Sequence, residues 1–326
     1  MTDSFENRLG FSGDVNEVMN RTMRDYGLGD VKSTELITVG FQDYNVIVNT
    51  SEGSYLVKVF AENQEAGEPE RPERYVKVMQ AAINGGVNHP KLFEDSTGET
   101  LHVDKLSQLS MAVMAFIPGK TFYEASGDFQ APNDEQLKLV LAEAVKINAI
   151  DYDPPYQFDD WAIPNMRLMF DKTRNYLSDE GRGLVEKAFT HYDAIPLDKL
   201  PKTFVHGDMI KTNVIMGDDG KAYVIDFAVA NTYPRIQELA VISANLLFDG
   251  KTPLRERTEK VTDMYIKAGG VLTDLEKSHV FDYALPGAAM EYMGSIWERD
   301  VNGDTTPEID HWAELGLRGL REALGS

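Results

Sequence analysis

Apolar residues recur along this chain at two spacings, and the switches between them mark out its elements. Val15, Val18, Met19, Thr22, Met23 and Tyr26 fall at helical spacing, and Gly27 is placed to end that helix. The period then drops to two over Leu36 to Gly40, Asn45 to Thr50 and Ser54 to Phe60, with Ser51-Glu52-Gly53 as a turn. Residues 61–72 are acidic and carry Pro69 and Pro72, which predicts a loop. A helix follows over Glu73 to Asn84, with Tyr75, Val76, Val78, Met79 and Ile83 roughly on one side, and Gly85-Gly86 ends it. Met111 to Ile117 is an apolar strand closed by Pro118-Gly119.

Beyond a polar loop over 121–133 the helical period dominates. Helices are predicted over Glu135 to Ile150, 165–178, 180–192, 254–268, 273–299 and 307–324. One strand-like passage interrupts them. Val214-Ile215-Met216 and Ala222 to Ile225 flank Gly217-Asp218-Asp219-Gly220, a turn between two β-branched runs and so a hairpin signal. Asn231 to Arg235 predict a loop before a helix at Gln237 to Ile242. No internal repeat is evident.

The hairpin delivers chemistry. Just before it runs Phe204-Val205-His206-Gly207-Asp208-Met209-Ile210-Lys211-Thr212-Asn213, and its second strand ends in Asp226-Phe227. Asp208, Asn213 and Asp226 are thereby gathered in one place. Phosphoryl transfer asks for such a set: a carboxylate beside the acceptor hydroxyl, and an amide with a second carboxylate to hold magnesium on nucleotide phosphates. The five-position step from Asp to Asn equals that of the kinase catalytic loop, with Gly207 in place of its Arg. At ordinary residue frequencies the pattern arises by chance in roughly one chain in a thousand of this length. The alternative is a polar loop whose Asp and Asn merely satisfy turn backbone.

His-Gly-Asp-x-x-x-x-Asn followed by Ile-Asp-Phe resembles the aminoglycoside phosphotransferase and choline kinase superfamily, which includes homoserine kinase-like enzymes. The resemblance covers about residues 30–245 through motifs, and the remainder only through helical content. It implies an α+β, bilobal protein-kinase-like fold. A small N-terminal nucleotide-binding lobe with an antiparallel sheet would span 1–116, and a larger, mostly helical catalytic and substrate-binding lobe 117–326. It implies a loop at Gly40 to Asn45 over the phosphates, Lys58 pairing with them, and adenine meeting backbone near Met114 to Phe116. A helix carboxylate should hold Lys58; Glu73 is the candidate and Glu70 the reserve. The alternative for either is an acidic residue favoured by the helix dipole. Asn88 to Phe93 resembles the entry to the fourth strand of the small lobe.

Two departures stand out. Asn148 occupies a position near a helix end where members often carry histidine. Glu238 stands where relatives have the Asp of Asp-Leu-Ala, and the longer carboxylate is expected to hold the same backbone. His206 has no nucleophile or third partner at suggestive spacing, so it is expected to brace the catalytic loop.

Composition narrows the setting. The 326 residues carry 53 acidic and 32 basic side chains, a net charge of −21 that disfavours nucleic acid and anionic membranes as partners. No cysteine is present, which excludes disulfides, thiolate metal sites and a cysteine nucleophile. The first residues show no signal pattern and no apolar run is long enough to span a bilayer, so a cytoplasmic protein is expected.

Together these features predict an ATP- or other nucleoside-triphosphate-dependent, Mg2+-using phosphotransferase acting on a small-molecule hydroxyl. Asp208 is assigned as the catalytic base, and Asn213 and Asp226 as metal ligands. Gly40, Asn45, Lys58, Glu73, Met114 and Phe116 are assigned to the nucleotide. The acceptor is left open, as is the oligomeric state. A homoserine-like substrate would use a cation such as Arg235 or Arg299. An aminoglycoside would use carboxylates such as Asp159, Asp160, Glu291 and Glu298. A quaternary amine would use aromatic walls such as Trp161, Tyr292 and Trp297. A homoserine-like or sugar-like metabolite ranks first and an aminoglycoside second. The other class of function is a catalytically silent kinase-like module that binds nucleotide or a partner. A protein kinase is disfavoured, since only ten residues separate Asp226 from the Gln237 helix.

Overall fold

The computed structural model describes residues 9–37, 43–61, 71–123 and 131–325. The chain divides into two compact units, one of residues 1–84 and 89–118, the other of 85–88 and 119–326.

The first unit is built on a five-stranded antiparallel sheet. Strands β1 (Val31–Ile37), β2 (Tyr44–Thr50), β3 (Ser54–Val59), β4 (Leu101–Val103) and β5 (Ser110–Ala115) lie in the order β1-β2-β3-β5-β4. Alternation in β2 does what period two requires: Tyr44, Val46, Val48 and Thr50 are buried while Asn45, Ile47 and Asn49 are half-buried. Val46, Val48, Val57, Val59, Met111 and Val113 form the sheet's inner face with Met19 and Met23 of the Val15–Asp25 helix. Each such side chain contributes about 1.5–3 kcal/mol by leaving water. That helix starts on Asp14, whose carboxylate accepts the Asn16 N–H at 2.8 Å. A second helix runs Arg71–Asn84. The fourth strand is Leu101–Val103. Asn88 to Phe93, expected to lead into it, contributes only an isolated bridge from Leu92 to Met114. Pro90 explains this, because it lacks the N–H that a continuous ladder needs.

The second unit is mainly helical, with helices at Asp134–Asn148, Met166–Thr173, Asp179–Asp193, Ile236–Val241, Leu254–Lys267, Asp274–Ile296 and Pro307–Leu324. The Asp274–Ile296 helix is its axis: it is apolar nearly all round from Val280 to Ile296 and packs against five other helices. Its start is fixed by a capping box between Thr273 and Glu276, and Asn133 and Gln136 do the same for Asp134–Asn148.

Two small antiparallel sheets lie among these helices. Strands β6 (Gly119–Thr121), β8 (Val214–Gly217) and β9 (Ala222–Val224) form one, in the order β6-β8-β9. Strands β7 (Lys202–Val205) and β10 (Asn231–Pro234) form the other, with Val205 opposite Asn231. Residues 231–234, expected as a loop, are thus a strand whose pairing brings the chain back beside its point of departure. Among the described residues no helix is long and apolar enough to cross a membrane.

Candidate active site

Strand β7 ends at Val205, and the next eight residues are held by side chains from three directions. His206 is fully buried. Its Nε2 lies 3.0 Å from the Ile225 carbonyl and its Nδ1 3.1 Å from the Asp208 N–H. A carbonyl can only accept and an amide N–H only donate, so Nε2 carries the proton and the ring is neutral. Burial pushes its pKa down to about 4, against the pull of Ile225 and Asp226. His206 therefore braces the loop, as its sequence context predicts. The His206 N–H donates to Glu238 Oε2 at 2.7 Å. Burial pushes the Glu238 carboxyl up to about 7, against the His206 and Gly207 N–H groups, which favour its ionised form. The longer carboxylate does hold this backbone. Gly207 turns at φ +82°, where a side chain would add strain.

Asn213 closes the loop on Asp208. Its Nδ2 donates to the Asp208 carbonyl at 3.0 Å and to Asp208 Oδ2 at 2.6 Å. Its carbonyl accepts the Ile225 N–H at 3.0 Å, which brings the end of β9, and hence Asp226, to the same place. Asp226 has φ +64°, a left-handed conformation that Asp tolerates better than most residues and that recurs at functional sites.

Two residues that sequence reasoning missed anchor the loop from behind. Lys211 is buried; its Nζ donates to the Phe248 carbonyl at 2.7 Å and its N–H to Asn245 Oδ1 at 3.2 Å. Asn245 Nδ2 in turn donates to Glu291 Oε1 at 2.7 Å. A lysine at a variable position of a short motif gives no signal of this. The Asn148 departure is also resolved. Its Nδ2 donates to the Phe204 carbonyl at 3.1 Å, and its Oδ1 accepts the Tyr265 hydroxyl at 2.9 Å, fixing β7 just ahead of the loop.

The electrostatics are one-sided. Solvent still reaches Asp208, yet loss of hydration is the largest cause raising its carboxyl well above the usual range. The charges of Asp226, Asp159 and Glu291 follow, and only the Asn213 amide opposes them. Burial pushes Asp159 up to about 6, despite the Trp161 N–H it accepts at 2.9 Å, and Glu291 up to about 7. Of the four carboxylates named for an aminoglycoside, Asp159 and Glu291 thus act on Asp208. Asp160 instead pairs with Lys172 at 2.7 Å, and Glu298 accepts from Asn302. The arginines named for a substrate carboxylate are both engaged: Arg235 by Glu276 through two bonds of 3.0 and 2.7 Å, Arg299 by Asp300 and Asp310.

In the first unit, Lys58 is buried in β3 opposite Asn45 of β2. Its Nζ lies 3.3 Å from Asp43 Oδ2 and 4.8 Å from the centre of the Tyr75 ring. Asp43 also takes two bonds of 3.0 Å from Arg71 and the Ala61 N–H at 3.1 Å. Glu73, the sequence candidate for holding Lys58, lies on the exposed face of its helix; among the described residues the carboxylate against Lys58 is Asp43. Helical phase explains the correction, since Arg74 and Tyr75 turn inward and carry Glu73 out. Gly40 and Glu70 lie outside the described residues. Met114 is buried in β5, and the Phe116 N–H makes only a long bond of 3.4 Å to the Ser54 carbonyl.

A family model described as the phosphotransferase enzyme family matches residues 33–275. The chain belongs to this family. Among relatives in it, a homoserine kinase of Methylorubrum populi is 23% identical over 286 residues, 85% of this chain and 84% of that one. A homoserine kinase of Zymomonas mobilis is 21% identical over 81% of this chain and 80% of its own. Solved structures share the fold. An AMP-bound spectinomycin phosphotransferase has a TM-score of 0.68 at 12% identity, covering 95% of this chain and 99% of that one. The choline kinase of Streptococcus pneumoniae has 0.60 at 13% identity, covering 93% and 98%. An amicoumacin kinase with AMP-PNP and Ca2+ has 0.67 at 12%, covering 96% and 94%. The protein-kinase-like α+β architecture of this phosphotransferase family is therefore the fold of this chain.

Proposed function

We propose that this phosphotransferase moves the γ-phosphoryl group of ATP to the hydroxyl of a small amine-bearing molecule. The observation that carries the proposal is the crowding of Asp208 by Asp226, Asp159 and Glu291 with no basic side chain among the causes of its shift. Such a cluster is costly alone and favourable once cations arrive. A divalent ion fits beside Asp226 and Asn213. Asn213 spends its Nδ2 on Asp208, so oxygens make up the donor set that Mg2+ prefers. Among the described residues no three His, Cys, Asp or Glu are grouped to hold a metal unaided. That suits an ion completed by nucleotide phosphates and water. When bound, the ion supplies charge neutralisation on those phosphates.

The remaining work falls to the chain. Asn213 holds Asp208 Oδ2, so Oδ1 takes the acceptor proton as the acceptor oxygen bonds to the γ-phosphorus and the bridging P–O bond breaks, releasing ADP. Lys58, held by Asp43, is assigned to the nucleotide phosphates, and Asn45, Met114 and Phe116 to its surroundings, on the family's plan. Asp159 and Glu291 attract the amine, while Arg235 and Arg299 are already engaged by carboxylates. Homoserine, ethanolamine, choline and aminocyclitols all satisfy this chemistry; a neutral sugar does not.

The test is ATP turnover with Mg2+ against a panel of homoserine, ethanolamine, choline, an aminocyclitol and neutral sugars. Turnover confined to amine-bearing acceptors supports the proposal. Turnover of neutral sugars at equal efficiency sinks the amine requirement. Failure to bind both nucleotide and Mg2+ sinks the kinase assignment.

A further inference from the structure

A second polar site lies in the helical unit, around Arg257 on the Leu254–Lys267 helix. Only 1% of this residue is exposed, yet its guanidinium makes one hydrogen bond, from Nη1 to the Ala244 carbonyl at 3.2 Å. Its central carbon lies 5.1 Å from the centre of the Phe248 ring. Nε and Nη2 are buried and have no hydrogen-bond partner. Asp249 and Glu322 act on the charge only through space, and burial pushes the guanidinium down to about 10. Two unmet donors on a buried cation are expensive unless something outside the chain meets them.

Arg257 lines a cavity of about 300 Å³. Lys251, Lys260, Thr252 and Leu247 share its wall with one carboxylate, Asp249. That carboxylate is already committed. Its Oδ1 accepts the N–H groups of Lys251 at 2.9 Å and Thr252 at 2.7 Å, and its Oδ2 accepts the Thr252 hydroxyl at 2.7 Å. Lys260 is paired with Asp134 at 2.6 Å, whereas Lys251 projects from an exposed loop position. In a chain of net charge −21 this wall holds three cations against one acid.

We propose that the cavity binds a small phosphate- or carboxylate-bearing metabolite. Nε and Nη2 of Arg257 form the bidentate pair that such anions take, with Lys251 as the second cation. The cavity is at the small end of ligand sites, which limits the occupant to a compact anion. The site stands independently of the kinase assignment.

The experiment is isothermal titration of the full chain with inorganic phosphate and, separately, citrate. Both are run at matched ionic strength in chloride and with Mg2+ and AMP-PNP saturating any nucleotide site. One saturable event is expected, weakened about tenfold in Lys251→Gln and lost in Arg257→Met. Should Arg257→Met not fold, the exposed Lys251→Gln decides alone. Phosphate binding without citrate binding assigns a phosphoryl ligand, and the reverse a carboxylate. No saturable heat with either anion, or binding that Lys251→Gln leaves unchanged, overturns the proposal.

Discussion

Around Lys58 buried charges of both signs meet, whereas around Asp208 the neighbouring charges have one sign. Asp43 faces Lys58 and both terminal nitrogens of Arg71 within 3.3 Å, so each of these ions has a counter-ion in place. Asp208 has Asp226, Asp159 and Glu291 for neighbours and a single amide to relieve it. Both arrangements cost hydration, but only the first recovers it inside the chain. A balanced cluster stabilises and positions. An unbalanced one stores unfavourable energy that an arriving cation releases, and natural proteins keep such strain where binding or catalysis uses it.

Breaking the unbalanced cluster should have the largest effect. Asp208→Asn removes the proton acceptor and one of the crowded charges together. Turnover should fall by about a thousandfold or more while nucleotide affinity changes little, as steady-state kinetics and a nucleotide titration can separate. The same variant should melt higher than wild type at neutral pH. A variant that loses turnover and melts lower would mean that Asp208 is a structural anchor.

Glu238→Ala should come next. It leaves the buried His206 N–H without its acceptor, and should cost about 2–3 kcal/mol in denaturant unfolding. Displacement of Asp208 should lower turnover by about a hundredfold. Glu238→Gln, which keeps an acceptor oxygen, should recover most of the stability.

On the balanced side the cost should be smaller. Lys58→Met should raise the nucleotide KM by about tenfold to a hundredfold, and destabilise modestly because Arg71 still neutralises Asp43. Glu73→Ala should leave KM unchanged and stability within about 0.5 kcal/mol. An equal loss in the two variants would restore Glu73 as the partner of Lys58.

The smallest effect is on pH dependence. Asp159 is raised from 3.8 to about 6, and Glu238 and Glu291 from 4.5 to about 7. Groups raised in the folded state hold their protons more tightly there than when unfolded. Their stabilisation is complete below the unfolded values and is lost as pH rises through the folded ones. Melting temperature in metal-free buffer should therefore decline between about pH 5 and about pH 8. Mg2+ with AMP-PNP should raise it more at the upper end, where the carboxylates are ionised. A flat profile would show that these groups titrate normally.

The elements that the sequence disclosed were those with local causes. Helical periodicity located the Val15 and Glu135 helices and the three long C-terminal ones, and turn chemistry located the β8–β9 hairpin. Motif spacing located Asp208, Asn213 and Asp226, which the structure brings together, and Glu238 holds backbone as its place implies. What escaped depends on distant partners. Residues 231–234 carry too little strand pattern to announce pairing with β7, and Asp43 precedes β2 without any periodic mark. Glu73 was misplaced because an acid in a first helical turn looks the same facing in or out. Which acids crowd Asp208 is equally invisible, because Asp159 and Glu291 reach it only through tertiary folding.

The pairing of β7 with β10 has one more consequence. Val205 and Asn231 stand opposite each other, so the chain leaves for residues 206–230 and returns through a single doorway. Within that excursion lie His206, Asp208, Asn213 and Asp226, and outside it Glu238, Asn148 and Asn245 grip its edges. The segment has the properties of a cassette. Transplanted between relatives, it needs one matched pair of seams and three compatible handholds, while the helices around it are free to diverge toward new acceptors.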